Sequence, residues 1–102
     1  MSDPQPVLTA LADPTRRAVF ERLNTKGPAS ATRLAGEMPV SRQAIAKHLD
    51  MLGEVGLVDR AEKGREVVYS ARTEPLGDIA SWLTEVGSHW DRRLERLKES
   101  FH

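Results

Sequence analysis

The stretch from Pro39 to Val58, PVSRQAIAKHLDMLGEVGLV, constrains the fold more than any other part of the chain. Its apolar residues recur at the spacing that gives an α-helix one apolar stripe: Ile45, Leu49 and Leu52. Ser41 can cap the first turn of this helix, whereas Gly53 and Gly56 favour its end and a turn of the chain. The stretch therefore predicts an amphipathic helix that buries one face and exposes the other.

The exposed face of this helix is polar and partly cationic, and its residues are Arg42, Gln43, Ala46, Lys47 and Asp50. In a helix-turn-helix the N-terminal end of the second helix enters the major groove of DNA. There Arg or Lys can bond guanine, and Gln can pair with adenine. We therefore expect Arg42 and Gln43 to read bases. The same pattern is also typical of an ordinary solvated helix face, so the neighbouring segments decide between the two interpretations.

The neighbouring segments have the dimensions of a winged helix-turn-helix. Ser30 can cap a helix over residues 31–37, and a turn of three or four residues separates it from the next helix. Beyond Gly56 a strand pattern leads out at 57–58 and returns at 67–69 across the tip 62–65. Lys63 and Arg65 at this tip suit a wing that rests on phosphate or probes the minor groove. Surface hairpins are, however, often charged for no functional reason.

The first part of the chain predicts a flexible terminus and two helices. Residues 1–5 are polar and Pro-containing, so we expect them to be disordered or loosely docked. A short helix should begin at Pro6, and a second should run from Pro14, capped by Asp13, to about Asn24. In the second helix we expect Arg16 to face water.

The segment from Thr73 to about Ser100 predicts the longest helix. Four of its residues lie seven apart, as in a heptad seam: Leu76, Leu83, Trp90 and Leu97. At 1.5 Å per residue it would reach about 40 Å, which is longer than one small domain covers. A chain of 102 residues has only a modest core. We therefore expect a second subunit to cover this helix.

Composition limits the partners and the chemistry. The 15 basic and 15 acidic residues give no net charge, so DNA binding requires cations to converge on one surface. The candidates for such a cluster are Arg33, Arg42, Lys47, Arg60, Lys63 and Arg65. The chain has no cysteine, which excludes disulfides and thiolate metal sites. It shows neither a bilayer-length apolar run nor a secretory leader, so we expect no membrane contact and a cytoplasmic location.

The sequence does not indicate an enzyme. It has no Gly-rich phosphate loop and no recognisable catalytic arrangement. His89 and Glu85 lie one helical turn apart, but two ligands do not make a zinc site, so we expect a surface pair. Trp82 and Trp90 could line a ligand cavity, although aromatic residues at helical spacing more often serve in packing.

Three segments together resemble one family. From ALADPTRRAVFERL through VSRQAIAKHLDMLGEVGLV to GREVVYSA the chain is similar to the ArsR-type (ArsR/SmtB-like) winged-helix repressors. The resemblance implies one mainly α domain over residues 1–102 with a small β-hairpin, acting as a homodimeric, sequence-specific repressor on a two-fold symmetric operator. It places double-stranded DNA against Ser41, Arg42, Gln43, Ala46, Lys47, His48, Lys63 and Arg65. His48 lies beside the apolar stripe, so helix packing is its alternative role.

The resemblance also implies that the first and last helices, the latter over residues 73–100, form the dimer interface. Its residues would be Leu8, Leu11, Leu76, Ile79, Leu83, Trp90, Leu94 and Leu97. A known metal site between the last helices of relatives is not matched, because Asp91 and Leu94 stand where a ligand pair would be needed. The sequence therefore points to the metal-independent branch, with no cofactor.

Two other functions remain open at this stage. A sensor of the same fold would release DNA when an unknown effector favours another dimer geometry. A protein-interaction module would use the winged helix to dock a protein instead of DNA, which the neutral net charge permits.

Overall fold

The computed structural model describes residues 3–100, with side chains of the last helix described up to Ser88 and at Arg92 and Arg96. These residues form five helices and two strands. In chain order they are α1 (Gln5–Ala12), α2 (Pro14–Lys26), α3 (Ala31–Glu37), α4 (Arg42–Glu54), β1 (Val58–Lys63), β2 (Glu66–Ala71) and α5 (Glu74–Ser100). The mainly α fold with a small β-hairpin, predicted from the sequence, is confirmed.

Most predicted boundaries are close, and the exceptions have local causes. Helix α3 has the predicted limits, because the Ser30 hydroxyl accepts the backbone N–H of Arg33 at 3.1 Å and so caps its first turn. Helix α1 begins at Gln5, a residue expected to be disordered or loosely docked. Helix α4 continues through Gly53 to Glu54, so that glycine does not end it. The chain turns instead at Gly56, whose φ of +79° lies in the left-handed region.

The core lies where α2, α3 and α4 meet. The stripe of α4 predicted from the sequence is fully buried, with Ile45, Leu49 and Leu52 all 0% exposed. They join a cluster contributed by the other elements: Val19, Phe20, Leu23, Leu34 and Leu57. Each such side chain contributes about 1.5–3 kcal/mol through its burial. The position of α4 relative to the other helices is therefore fixed by packing.

The hairpin is attached to the base of α3. Strands β1 and β2 pair antiparallel from Val58 opposite Ala71 to Lys63 opposite Glu66, with Gly64 at a φ of +65° in the turn. The connection between α2 and α3 extends this sheet, because Ala29 and Tyr69 exchange backbone hydrogen bonds of 3.1 and 2.9 Å. The wing and α3 consequently keep a fixed relation to each other.

Arg16 does not face water, so that expectation was wrong. Its side chain is only 8% exposed, and its Nε donates to the carbonyl oxygen of Ala10 at 2.6 Å. One guanidinium nitrogen donates to the Thr9 carbonyl oxygen, and the other lies 3.3 Å from the sulfur of Met51 in α4. The last carbonyls of α1 have no partner within the helix, which explains why they attract a cation. Arg16 thus joins α1, α2 and α4.

The beginning of helix α5 packs against the core, and the rest of the helix extends away from it. Ile79 is 9% exposed and belongs to the core, and Leu76 packs against the core from outside. Farther along, apolar side chains become exposed: Trp82 is 40%, Leu83 54% and Val86 39% exposed. Among the described residues, no helix has the length and apolarity needed to cross a bilayer.

Candidate nucleic-acid interface

Helix α4 presents three faces to its surroundings. Successive residues of a helix are rotated by about 100°, so Gln43 and Lys47 point away from the buried stripe. Both side chains are exposed. Arg42 and Ala46 lie to one side of this direction, facing the hairpin, whereas His48 and Met51 lie to the other side, facing α1 and α2. Ser41 precedes the helix, and its hydroxyl accepts the backbone N–H of Ala44 at 3.1 Å.

Between α4, the start of α3 and the hairpin lies a groove of about 310 Å³, which we call the basic groove. Its residues are Ser30, Ala31, Thr32, Arg42, Ala46, Arg60, Arg65, Glu66, Val67 and Tyr69. It brings together cations from three separate parts of the chain, namely the start of α4, the middle of β1 and the tip of the hairpin. Of the residues predicted to contact DNA, it contains Arg42, Ala46 and Arg65.

Arg60 was among the six cations expected to converge on one surface, although the family resemblance assigned it no DNA contact, and it lies in the basic groove. Strand side chains alternate between two faces, so Arg60 shares the inward face of Val58, which is 6% exposed. It lies opposite Tyr69 on the neighbouring strand. Lys63 has the other parity and is exposed outside the groove. The alternation that starts from the buried Val58 is the sequence signal that distinguishes the two cations.

His48 lies on the α2 side of α4 and away from the basic groove. Its Nδ1 is buried without a hydrogen-bond partner among the described residues. The backbone N–H of Arg16 is the main reason why the pKa of Asp13 is lowered, and the nearby charge of His48 contributes to the same direction. Since Asp13 stands between α1 and α2, this proximity favours packing, which the sequence left open, over a DNA contact for His48.

Acidic side chains are concentrated at the other end of α4. Asp3, Glu54, Glu74 and Asp78 line a second groove of about 410 Å³, which we call the acidic groove. On the side of the basic groove, Glu66 lines the groove, and Asp50 is exposed on α4. Of the six cations expected to converge, Arg33 is exposed and lies 3.9 Å from Glu37 in an ion pair within α3.

The residues predicted for a dimer interface fall into four groups. Leu8, Leu11 and Leu76 are partly buried against the core of the chain itself. Ile79 is buried in that core, so little of it is left to offer a second subunit. Leu83 is exposed on α5. The side chains of Trp90, Leu94 and Leu97 lie outside the described part of the structure.

We find no metal centre among the residues that the structure describes, where no three His, Cys, Asp or Glu side chains are placed to hold an ion. The expected absence of a metal cofactor stays a prediction. Two helices joined by a tight turn, with the second exposing a polar face beside a two-stranded wing, define the chain as a winged helix-turn-helix protein.

Comparisons with known proteins give the family. A family described as a helix-turn-helix domain matches residues 11–61. The HTH-type transcriptional regulator Rv2034 of Mycobacterium tuberculosis is 41% identical over 85 residues, covering 83% of this chain and 76% of that protein. The transcriptional repressor SdpR of Bacillus subtilis is 31% identical over 88 residues, covering 86% and 97%.

Comparison with a solved structure gives the same family. The ArsR-like transcriptional regulator from Rhodococcus sp. RHA1 is 43% identical and superposes with a TM-score of 0.77, over 94% of this chain and 90% of that one. The chain belongs to the ArsR family of winged helix-turn-helix transcriptional regulators, a family of DNA-binding proteins. The resemblance inferred from the sequence is thereby confirmed.

Proposed function

We propose that the protein is a homodimeric repressor that binds a two-fold symmetric operator in double-stranded DNA. The observation that supports this proposal most is the basic groove, where Arg42 of α4 lies on the same surface as Arg60 and Arg65 of the hairpin. A chain without net charge attracts DNA only through such a local cluster. The exposed Gln43 and Lys47 at the N-terminal half of α4 are suited to read base edges in the major groove.

The proposed DNA surface keeps most of the residues that the resemblance places against DNA and adds Arg60 from the expected cation cluster. It consists of Ser41, Arg42, Gln43, Ala46, Lys47, Lys63 and Arg65, together with Arg60. Ser41, whose hydroxyl already caps α4, would contribute through its position at the helix start. Lys63 would contact phosphate from the outer face of the wing. His48 is left out because its Nδ1 is buried on the other side of α4.

The proposed dimer contact is the exposed apolar side of α5. Leu83 and Val86 lie three residues apart and share a helix face, with Trp82 beside them. Three large apolar side chains left in water on one helix are best covered by the same surface of a second copy. In this proposal residues 1–102 act as one domain, and 73–100 supply its dimerisation helix.

Repression, as opposed to activation, is supported by similarity to the transcriptional repressor SdpR. The dimer would occlude a promoter when its two α4 helices occupy successive major grooves, about 10 base pairs apart. We further propose that the protein works in the cytoplasm, without enzymatic activity. The response to an effector, considered above as an alternative, has no specific support in the described residues.

Selection from a random pool of duplex DNA tests the proposal. The purified protein should recover a palindromic sequence, and its sedimentation velocity should give the mass of a dimer. Leu83→Glu should shift the species towards monomer and weaken operator binding, whereas Glu85→Gln on the same helix should change neither. If the protein recovers no sequence and retains no DNA at low salt but pulls down a protein, the interaction-module alternative is correct.

A further inference from the structure

The first residue of α4 is held by a residue of α3. The Nε of Arg42 donates to the hydroxyl oxygen of Thr32 at 3.0 Å, and both side chains are exposed. An exposed arginine normally samples many rotamers, and a hydrogen bond at Nε restricts the plane of the whole guanidinium group. Thr32 therefore limits where Arg42 can point, although neither the sequence nor the family resemblance singled it out.

The direction that results is towards the hairpin and not straight out of the helix. Arg42 and Ala46 lie one helical turn apart and both line the basic groove. Gln43 and Lys47 point about 100° away from them, directly opposite the buried stripe. When α4 lies in a major groove, residues opposite the stripe face the base edges. A side chain that points towards the wing faces the sugar-phosphate backbone at the rim of the groove.

The basic groove also has the charge of a phosphate site. Arg42, Arg60 and Arg65 line it, and among the described residues none of the three forms an ion pair within 4.0 Å. Glu66 is the acidic residue of the groove. Like charges gathered without paired carboxylates repel one another, so the arrangement gains from an anion bound between them. The hydroxyls of Ser30 and Thr32 add polar groups at the same place.

We propose that Arg42 contacts a backbone phosphate together with Arg60 and Arg65 and does not read a base, and that Thr32 is the positioning residue that sets this role. The inference rests on the proposed DNA binding and replaces the expectation that Arg42 bonds guanine. Base reading by α4 then falls to Gln43 and Lys47. Arg42 contributes to affinity for any duplex, whereas those two residues contribute to the choice of sequence.

The first test measures affinity for the selected operator and for a random duplex of equal length across a range of salt concentrations. Arg42→Ala should weaken both complexes by about the same factor, roughly 10-fold, and reduce the salt slope by about 1. Gln43→Ala should reduce the ratio of operator to random affinity by about 5- to 150-fold and leave the slope unchanged. If Arg42→Ala reduces that ratio instead, the arginine reads a base and the proposal is overturned.

The second test addresses Thr32. Thr32→Val keeps the branched shape and removes the acceptor, so it should weaken both duplexes by about 2- to 10-fold, as expected for one hydrogen bond. Thr32→Ser should restore binding. In an Arg42→Ala background Thr32→Val should have no further effect, because its role acts through the arginine. An equal loss in that background, or a lowered melting temperature, would show a structural role only.

A third test identifies the anion. Neutral methylphosphonate linkages, introduced one at a time into the operator, should weaken the wild type at one or two positions per half-site that no longer matter in Arg42→Ala. If inorganic phosphate raises the melting temperature of the wild type but not of Arg42→Ala, while no methylphosphonate position weakens the wild type, the groove is a site for free phosphate and the DNA assignment is overturned. If the wild type binds no DNA at all, the proposed function itself is refuted. The first titration shows this before any variant is compared.

Discussion

The two grooves at the ends of α4 carry opposite charge. The basic groove includes Arg42 at the first residue of the helix, and the acidic groove includes Glu54 at its last. A helix of 13 residues is about 20 Å long, so groups of opposite charge are separated within one small molecule whose total charge is zero. For DNA binding the position of the charges is therefore more informative than their number.

The charges on α4 also oppose the helix dipole. Helices are stabilised by anions at the N-terminus and cations at the C-terminus. Helix α4 has no acidic residue in its first turn and no basic residue in its last. Arg42 adds a positive charge to the N-terminal end of α4, where the helix dipole is already positive. This arrangement favours binding of a phosphate but does not stabilise the helix. The charges at the two ends of α4 therefore lower the stability of the helix slightly, while its N-terminal end suits an anionic ligand.

The largest expected effect is a charge reversal in the basic groove. Arg60→Glu should weaken binding to any duplex by about 100-fold at moderate salt, because it removes a phosphate contact and introduces repulsion. Fluorescence anisotropy with a labelled duplex measures this loss. The matched control is Glu62→Arg, also on β1, which should not weaken binding. Equal affinity of Arg60→Glu and wild type would remove the groove from the interface.

The next effect separates two cations of one strand. Arg60→Ala should weaken duplex binding by about 10-fold and Lys63→Ala by about 2-fold, since only Arg60 lies on the inward face beside α4. The same anisotropy titration compares them. A greater loss for Lys63→Ala would mean that the outer face of the wing, and not the basic groove, meets the backbone.

A smaller effect is expected from the acidic end of α4. Glu54→Gln should leave DNA affinity within about 2-fold of the wild type, because the acidic groove lies away from the proposed interface. It should raise the free energy of unfolding by about 0.3–1 kcal/mol, since a negative charge at the C-terminus of a helix is unfavourable. Urea denaturation measures the stability. Lower stability of the variant would contradict the dipole argument.

The smallest effect concerns acid stability at the acidic groove. The backbone N–H of Glu74 itself, with a further contribution from Arg72, holds the pKa of the Glu74 carboxyl below its ordinary value of 4.5. Because the pKa is lowered on folding, its stabilisation is present above the ordinary value and is lost as pH falls through the folded value. Glu74→Gln should therefore lose less thermal stability than the wild type between pH 5 and 3. Identical losses, measured by circular dichroism, would argue against this contribution.

The fold was predictable where local signals agreed. The cap at Ser30 and the apolar stripe of α4 are encoded within a few residues, and the structure has both. The burial of Arg16 was not predictable, because it depends on where the carbonyls of α1 lie in space. The basic groove was partly predictable. Arg42 and Arg65 could be predicted from their positions in the motif. The role proposed for Thr32 could not, because it depends on how close α3 and α4 lie to each other.

The burial of Arg16 ties the first helix to cooperative unfolding. Its guanidinium is shared by the carbonyls of Thr9 and Ala10 and by the sulfur of Met51. If α1 detached, a buried cation would lose its acceptors, at a cost of about 1–3 kcal/mol for each strong contact. Fraying of the chain from its amino end is thereby opposed, and amide protons in the last turn of α1 should exchange as slowly as those in the middle of α2.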